Sequence, residues 1–121
     1  ERRMRWRGFA ILHPEQMSFA AQIRAAAQAD VIAGVDGSAL LLSAFMRRRS
    51  RMLILQTGPR RNVQFLNALM DVETMSVPTL PPRSGARRRR IDPAQLEAAL
   101  DRLGCPPAPG PLRRLIDRFF R

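Results

Sequence analysis

The sequence contains no lysine and no tyrosine, and only one cysteine and one histidine. With Cys105 alone, no disulfide can form within the chain. One cysteine and one histidine, His13, cannot make a Cys/His zinc site, so no metal site is expected. Cys105 reads as a free thiol in a reducing compartment. No run approaches the roughly 18 apolar residues that span a bilayer, and no signal-peptide pattern precedes the apolar segments. The chain opens on Glu1 rather than a methionine, which reads as a piece of something longer.

What is abundant is arginine. All 21 basic residues are arginine, against 10 acidic residues, for a net charge of +11. Clustered cations attract phosphate backbones, so nucleic-acid binding is one reading. Arginine without lysine, together with much Ala, Pro and Gly, is also what a GC-rich genome writes by default. The cations are unevenly placed: Arg87–Arg90 sit in a loop pattern and others follow helix ends. The 45% hydrophobic content predicts a folded body, and 121 residues fit a single domain with a modest core.

Periodicity predicts an α/β fold. Apolar runs at Gly8–His13, Asp30–Gly34, Arg51–Gln56 and Val72–Val77 read as four strands; the last alternates weakly, as an edge strand does, and Pro78 closes it. Between them, Ser18 caps a helix whose apolar residues are Phe19, Ile23, Ala26 and Ala27, with Gln22, Arg24 and Gln28 facing away. Ala39–Met46 is apolar nearly all round, as a buried helix would be, and Arg47–Arg49 follow where the helix dipole favours cations. Asn62–Met70 is a further helix with Asn62 as its cap. Strands alternating with helices predict a parallel, Rossmann-like sheet.

Residues 1–77 thus form the sheet domain, and 78–90, rich in Pro, Gly, Ser and Arg, a linker. Residues 91–104 are the best-specified helix, with Asp92 at the N-cap, Pro93 at N1, Gln95 at N3, Ile91 and Leu96 as a staple, and Gly104 past the end. Residues 105–121 hold a Pro-rich break and a basic amphipathic segment, with Leu112, Leu115, Ile116, Phe119 and Phe120 on one face.

The stretch "GVDGSA", Gly34 to Ala39, joins a strand to an apolar helix. In open α/β sheets ligands bind beyond the carboxyl ends of strands, and N–H groups at a helix start point at anions. Gly34, Gly37 and Ser38 are therefore candidates to face a phosphate. They also suit a plain tight turn, and the spacing is neither a dinucleotide fingerprint nor a P-loop.

The region Pro14–Leu55 resembles glycosyltransferase family 61, the capsular-polysaccharide-type transferases. That family's pattern is a Glu, a Ser-Phe-x-x-Gln helix start, Ala-x-Val-Ile-x-Gly, His-Gly-Ala-x-Leu, a Phe-Met pair and a hydrophobic strand. The matching positions are Glu15, Ser18, Phe19, Gln22, Ala29, Val31, Ile32, Gly34, Gly37, Leu40, Phe45 and Met46. The resemblance extends over about Gly8 to Val77. It implies the C-terminal half of a GT-B-like fold, which grips the nucleotide diphosphate of a sugar donor, and an inverting transfer without an essential metal or other cofactor. It implies a donor site at Gly34, Asp36, Gly37, Ser38 and Ala39, with Glu15 and Gln22 added by the motif.

Asp36 departs from the family, which has His there. A carboxylate repels a diphosphate but can accept a sugar or ribose hydroxyl. The resemblance also implies an N-terminal half that would carry the acceptor site, so this chain alone is expected to bind donor at best. Its expected setting is cytoplasmic and peripheral at the membrane, with Arg87–Arg90 facing anionic lipid. The C-terminal segment is expected to cover the N-terminal half of the same enzyme; an anionic lipid surface is the alternative partner, and in this chain alone the face would lie bare or pair with a second copy in a homodimer. Two other classes remain: a degenerate, non-catalytic or interaction module, and, third, a nucleic-acid binder. The latter needs aromatics interleaved with the arginines, and Arg87–Arg90 has none nearby in sequence.

Overall fold

The computed structural model describes residues 1–107. The amphipathic segment from Leu112 to Phe120 lies outside the described residues. The helices are α1 (Arg2–Trp6), α2 (Phe19–Gln28), α3 (Asn62–Leu69) and α4 (Pro93–Arg102); the strands are β1 (Val31–Val35), β2 (Arg51–Gln56), β3 (Glu73–Leu80) and β4 (Arg90–Ile91). The sheet order is β1-β2-β3-β4; the first three strands are parallel, and β4 pairs antiparallel with β3. This is an α/β fold of Rossmann-like kind, as the alternation of segments predicts.

The central strand reads as a continuous apolar run because both its faces are covered. Met52 and Ile54 point to one side, where they pack with Ala26 of α2, Leu40, Met46, Val63 of α3 and Val72. Leu53 points to the other, against Val77, the α4 residues Leu96, Ala99 and Leu100, and Leu103 at the helix C-cap. Among the described residues no helix is long and apolar enough to cross a membrane.

α4 follows its sequence signals. Asp92 accepts from the Ala94 N–H at 2.8 Å, so it meets N2 rather than Gln95 at N3. At the other end Gly104 takes φ +68°, its N–H reaches Asp101 O at 3.0 Å, and Cys105 N–H reaches Leu100 O at 2.9 Å. That pair of bonds is a Schellman stop, which satisfies two carbonyls the helix leaves open. Ser18 caps α2 as expected, accepting from the Ala21 N–H at 3.2 Å.

Five expectations are corrected. Gly8–His13 is not a strand: Gly8 is a turn residue at φ +83°, the rest forms no regular structure and pairs with no strand among the described residues, and the run and β1 line a common groove. Phe9 alone of that run packs into the core, on the α4 side. α2 is turned from the expected orientation. Phe19 is 65% exposed, and meets Phe45 edge-to-face at 6.2 Å, whereas Gln22 points in and donates to Pro14 O at 2.9 Å.

The apolar segment after β1 is a 3-10 helix over Ser38–Phe45 rather than a buried α-helix. Leu40, Ser43 and Met46 are buried, a spacing of three that matches its three-residue turn, while Leu41 and Phe45 stay exposed. Asn62 is the first residue of α3 rather than its cap; Arg61 holds the cap position without a side-chain bond. In addition, Pro78 does not close β3, which continues to Leu80. A proline is tolerated there because the outer neighbour β4 reaches only Thr79 and Leu80.

Arg7 fastens the N-terminus to α4. Its guanidinium binds the carboxylates of Glu97 and Asp101 and donates to Cys105 O at 2.8 Å, with its side chain only 6% exposed. Burial pulls the Arg7 pKa down, but the bonds to Asp101 and Glu97 outweigh it and leave it raised. The Arg7 bond, supported by Arg3 at 3.2 Å, holds the Glu97 carboxyl below its usual range against a partial burial that pushes it up.

Candidate functional site

The parallel register brings three chain segments to one edge of the sheet. Val35 lies beside Leu55, Leu55 beside Val77, and Gln56 beside Pro78. Asp36 extends the first contact, its N–H donating to Leu55 O at 3.0 Å. The turn Gly34–Ala39, the loop from Thr57 to Arg61, and the end of β3 therefore open side by side at the carboxyl end, where α/β sheets take ligands.

The two glycines of the turn serve different ends. A Cβ on Gly34 would lie 2.8 Å from Leu40 Cδ2, so this glycine lets the 3-10 helix pack against β1. A Cβ on Gly37 would meet nothing closer than Val35 O at 3.8 Å, and the backbone there is extended (φ 172°), which any residue can adopt. Neither packing nor backbone geometry requires glycine at 37. The 3-10 hydrogen-bond ladder begins with Leu40 N–H to Gly37 O at 3.1 Å, so the N–H groups of Ser38 and Ala39 lie ahead of it. Ser38 and Ala39 are exposed, and the side chain of Ser38 does not cap this helix.

Asp36 is held by Gln56. The Gln56 Nε2 lies 2.9 Å from Asp36 Oδ2, 2.7 Å from Gly58 O and 2.8 Å from Arg60 O. Its Oε1 accepts from Gln64 Nε2 at 2.6 Å, and Gln64 reaches Ser76 Oγ at 3.4 Å. The Gln56 carbonyl accepts from Thr79 Oγ1 at 2.9 Å, and Thr79 Oγ1 accepts in turn from Arg89 Nε at 2.6 Å. One chain of polar groups thus crosses the ends of all three parallel strands. Arg60 and Arg61 flank it, exposed.

Glu15 and Gln22 stand apart from this cluster. They border a groove of about 970 Å³ along the outer edge of β1, together with Phe9, Leu12, Met17 and Val31. Gly34 and Ala39 reach the same groove from the turn, whereas Asp36, Gly37 and Ser38 do not line it. Glu15 is exposed and lies 3.5 Å from His13 Nδ1. The Gln22 amide is engaged by Pro14 O and by Met17 O at 3.3 Å, which ties the turn before α2 to the helix itself.

Sequence reasoning missed Gln56, Gln64 and the Arg60–Arg61 pair. The rule that singled out the turn after β1 applies equally to "QTGPRRN" after β2, where Gly58 and Pro59 mark a loop opening at the same sheet edge. Among the described residues, no three His, Cys, Asp or Glu side chains are grouped so as to hold a metal ion.

No curated protein and no solved structure matches the chain. The match that is found takes in α1, α2, β1, the turn and the 3-10 helix, and it stops inside β2. Over residues 1–53 the chain matches the family model of Glycosyltransferase 61, the family whose motifs its sequence resembles.

Proposed function

We propose that this chain is the nucleotide-sugar-binding half of a bacterial glycosyltransferase, one that adds a sugar to a surface polysaccharide of capsular or lipopolysaccharide type. The observation that carries the reading is the room over Gly37, where an added Cβ would make only ordinary contact with Val35 O at 3.8 Å, beside the N–H groups of Ser38 and Ala39. A diphosphate seated there accepts those N–H groups at the positive end of the 3-10 helix. In the transfer, an acceptor hydroxyl attacks the anomeric carbon and the nucleoside diphosphate leaves. Donors already aimed at the departing phosphate stabilise the charge that develops. The acceptor and its base belong to the other half of a GT-B-like enzyme. Exposed Arg87 and Arg88 suit a cytoplasmic enzyme working against an anionic membrane surface.

Titration of the 121-residue chain with uridine, guanosine, cytidine and adenosine diphosphates tests this. One of them binds the native chain, and Gly37→Val, which adds bulk over the N–H groups, abolishes that binding with the fold intact. Binding unchanged by Gly37→Val overturns the assignment. A second reading, a degenerate module without chemistry, is favoured by Asp36, whose carboxylate stands where the family has a cationic partner for the phosphate. That reading expects no nucleoside diphosphate to bind at all.

A further inference from the structure

β1 stands at the end of the sheet order, so among the described residues no strand lies against its outer side. The groove of about 970 Å³ runs there instead, and much of its wall is apolar: Leu12, Met17, Val31, Val35 and Leu42 line it. Leu12 is 54% and Val35 56% exposed, large apolar side chains that the described residues leave uncovered. A space of that size takes several side chains at once.

The described chain reaches this groove as it ends. Gly104, Cys105 and Pro106, which form and follow the stop of α4, line it. Six residues past Pro106 begins the segment Leu112–Phe120, with its five large apolar residues at helical spacing, outside the described residues. The link between them holds Pro107, Pro109 and Pro111. Extended, such a proline-rich link spans about 19 Å. As a helix the segment would be about 14 Å long, against about 16 Å for the five residues of β1. Reach and length both fit.

Charge fits as well. Two exposed carboxylates line the groove, Glu15 beside His13 and Asp30 beside Arg47. The groove's own cations are already engaged, Arg7 by Glu97 and Asp101, and Arg51 by the Leu103 carbonyl. The segment brings Arg113, Arg114 and Arg118 against Asp117 alone.

We propose that Leu112–Phe120 docks by its apolar face in the groove along β1 of the same chain. The proposal does not depend on the donor-binding reading. Other partners compete for that face: the N-terminal half that the family resemblance offers, a second copy, and anionic lipid. The tether favours the groove in this chain. A link this short holds the segment beside the groove at an effective concentration near millimolar, higher than a second copy reaches in dilute solution. Nine residues are too few to hold a helix alone in water, so the segment gains its order from the packing.

The test is paramagnetic broadening in the 121-residue chain. Cys105→Ser removes the native thiol, and Arg114→Cys carries a nitroxide on the polar side of the segment. Amide signals of Leu12, Met17 and Val31 should lose most of their intensity, while those of Phe65 and Leu69 on α3 change little. Val35→Asp puts a charge at a half-exposed position of the groove, so it should restore the lost signals with the fold intact. Leu12→Asp, equally exposed, is the second such variant.

Groove signals that keep their intensity overturn the proposal, whether the segment stays free or moves onto added phosphatidylglycerol vesicles. The same loss in isotope-labelled native chain, mixed with unlabelled chain that carries the nitroxide, assigns the groove to a second copy and overturns it too. So does a loss that persists in both groove variants.

Discussion

A methyl group on Gly34 would sit 2.8 Å from Leu40 Cδ2, whereas the nearest atom to one on Gly37, three residues on, is 3.8 Å away. The two glycines look equivalent in the sequence and are not. Gly34 is a packing residue, whereas neither packing nor backbone geometry among the described residues requires glycine at 37.

Stability measurements separate them. Leu40 is buried in the cluster of Met52 and Ile54, so it can yield to a new methyl group only by disturbing that packing. Gly34→Ala should cost about 1–2 kcal/mol, in the range of overpacked cores. Gly37→Ala should stay within about 0.5 kcal/mol of the native chain, since its backbone is already extended and its Cβ site empty. Urea denaturation of the two variants checks both, and a costly Gly37→Ala would mean that the turn needs its glycine after all.

The link between Arg7 and Glu97 predicts a loss of stability in acid. Glu97 has a lowered pKa in the fold, first through its bond to Arg7. A carboxylate with a depressed folded pKa stabilises above its unfolded value, about 4.3 for Glu, and that contribution fades as pH falls through the lower folded value. Glu97→Gln should cost about 1–2 kcal/mol at pH 7. That is less than a fully buried pair, because Glu97 is a third exposed to solvent. Urea midpoints at pH 7 and pH 3 should differ less in the variant than in the native chain.

The sequence carries the fold where local chemistry decides it. Asp92, Pro93 and Gly104 specify α4 from both ends, and the unbroken apolar run of Arg51–Gln56 marks a strand covered on two faces. It fails where a partner decides. Gly8–His13 has strand composition, but no neighbour among the described residues pairs with it, and composition alone makes no ladder. The 3-10 helix was hidden because Leu40, Leu41 and Leu42 satisfy either period; only the burial of Leu40, Ser43 and Met46 distinguishes them.

The candidate site was legible in half. The turn after β1 stands out by its glycines, but Asp36 is bound by Gln56, twenty residues away in sequence. That contact exists because the register sets Val35 beside Leu55. No local pattern announces a contact made by register.

Cys105 should be a slow thiol. Burial pushes its pKa up, against the opposing pull of Arg51 and Arg7, and its Sγ lies 3.8 Å from Leu103 O in the α4 core cluster. The thiolate is the reactive form, so both burial and the raised pKa retard it. Labelling by a disulfide reagent at pH 8 should be at least tenfold slower than in urea-unfolded chain. Arg7→Ala, which removes the guanidinium from the Cys105 carbonyl and frees α1, should speed it.

The loop between β3 and β4 divides by its anchoring, and proteolysis should read the division. All of residues 81–90 are exposed, so exposure alone predicts equal cleavage after Arg83, Arg87, Arg88, Arg89 and Arg90. The bonds differ, however. Arg89 donates to Thr79 Oγ1 at 2.6 Å and to Thr79 O at 3.3 Å, and Arg90 pairs with Leu80 and reaches Pro81 O at 3.3 Å. A protease must draw the chain into an extended strand of its own, which these contacts resist at Arg89 and Arg90. Within this loop, limited trypsin digestion should therefore cut first after Arg83, Arg87 and Arg88. Thr79→Val removes the hydroxyl that joins Arg89 to the Gln56 carbonyl, at a cost of about 1 kcal/mol for the lost bonds. In that variant cleavage after Arg89 and Arg90 should rise severalfold toward the rate at Arg87. Equal cutting at all five arginines in the native chain would show that the Thr79 anchor does not hold the loop in solution.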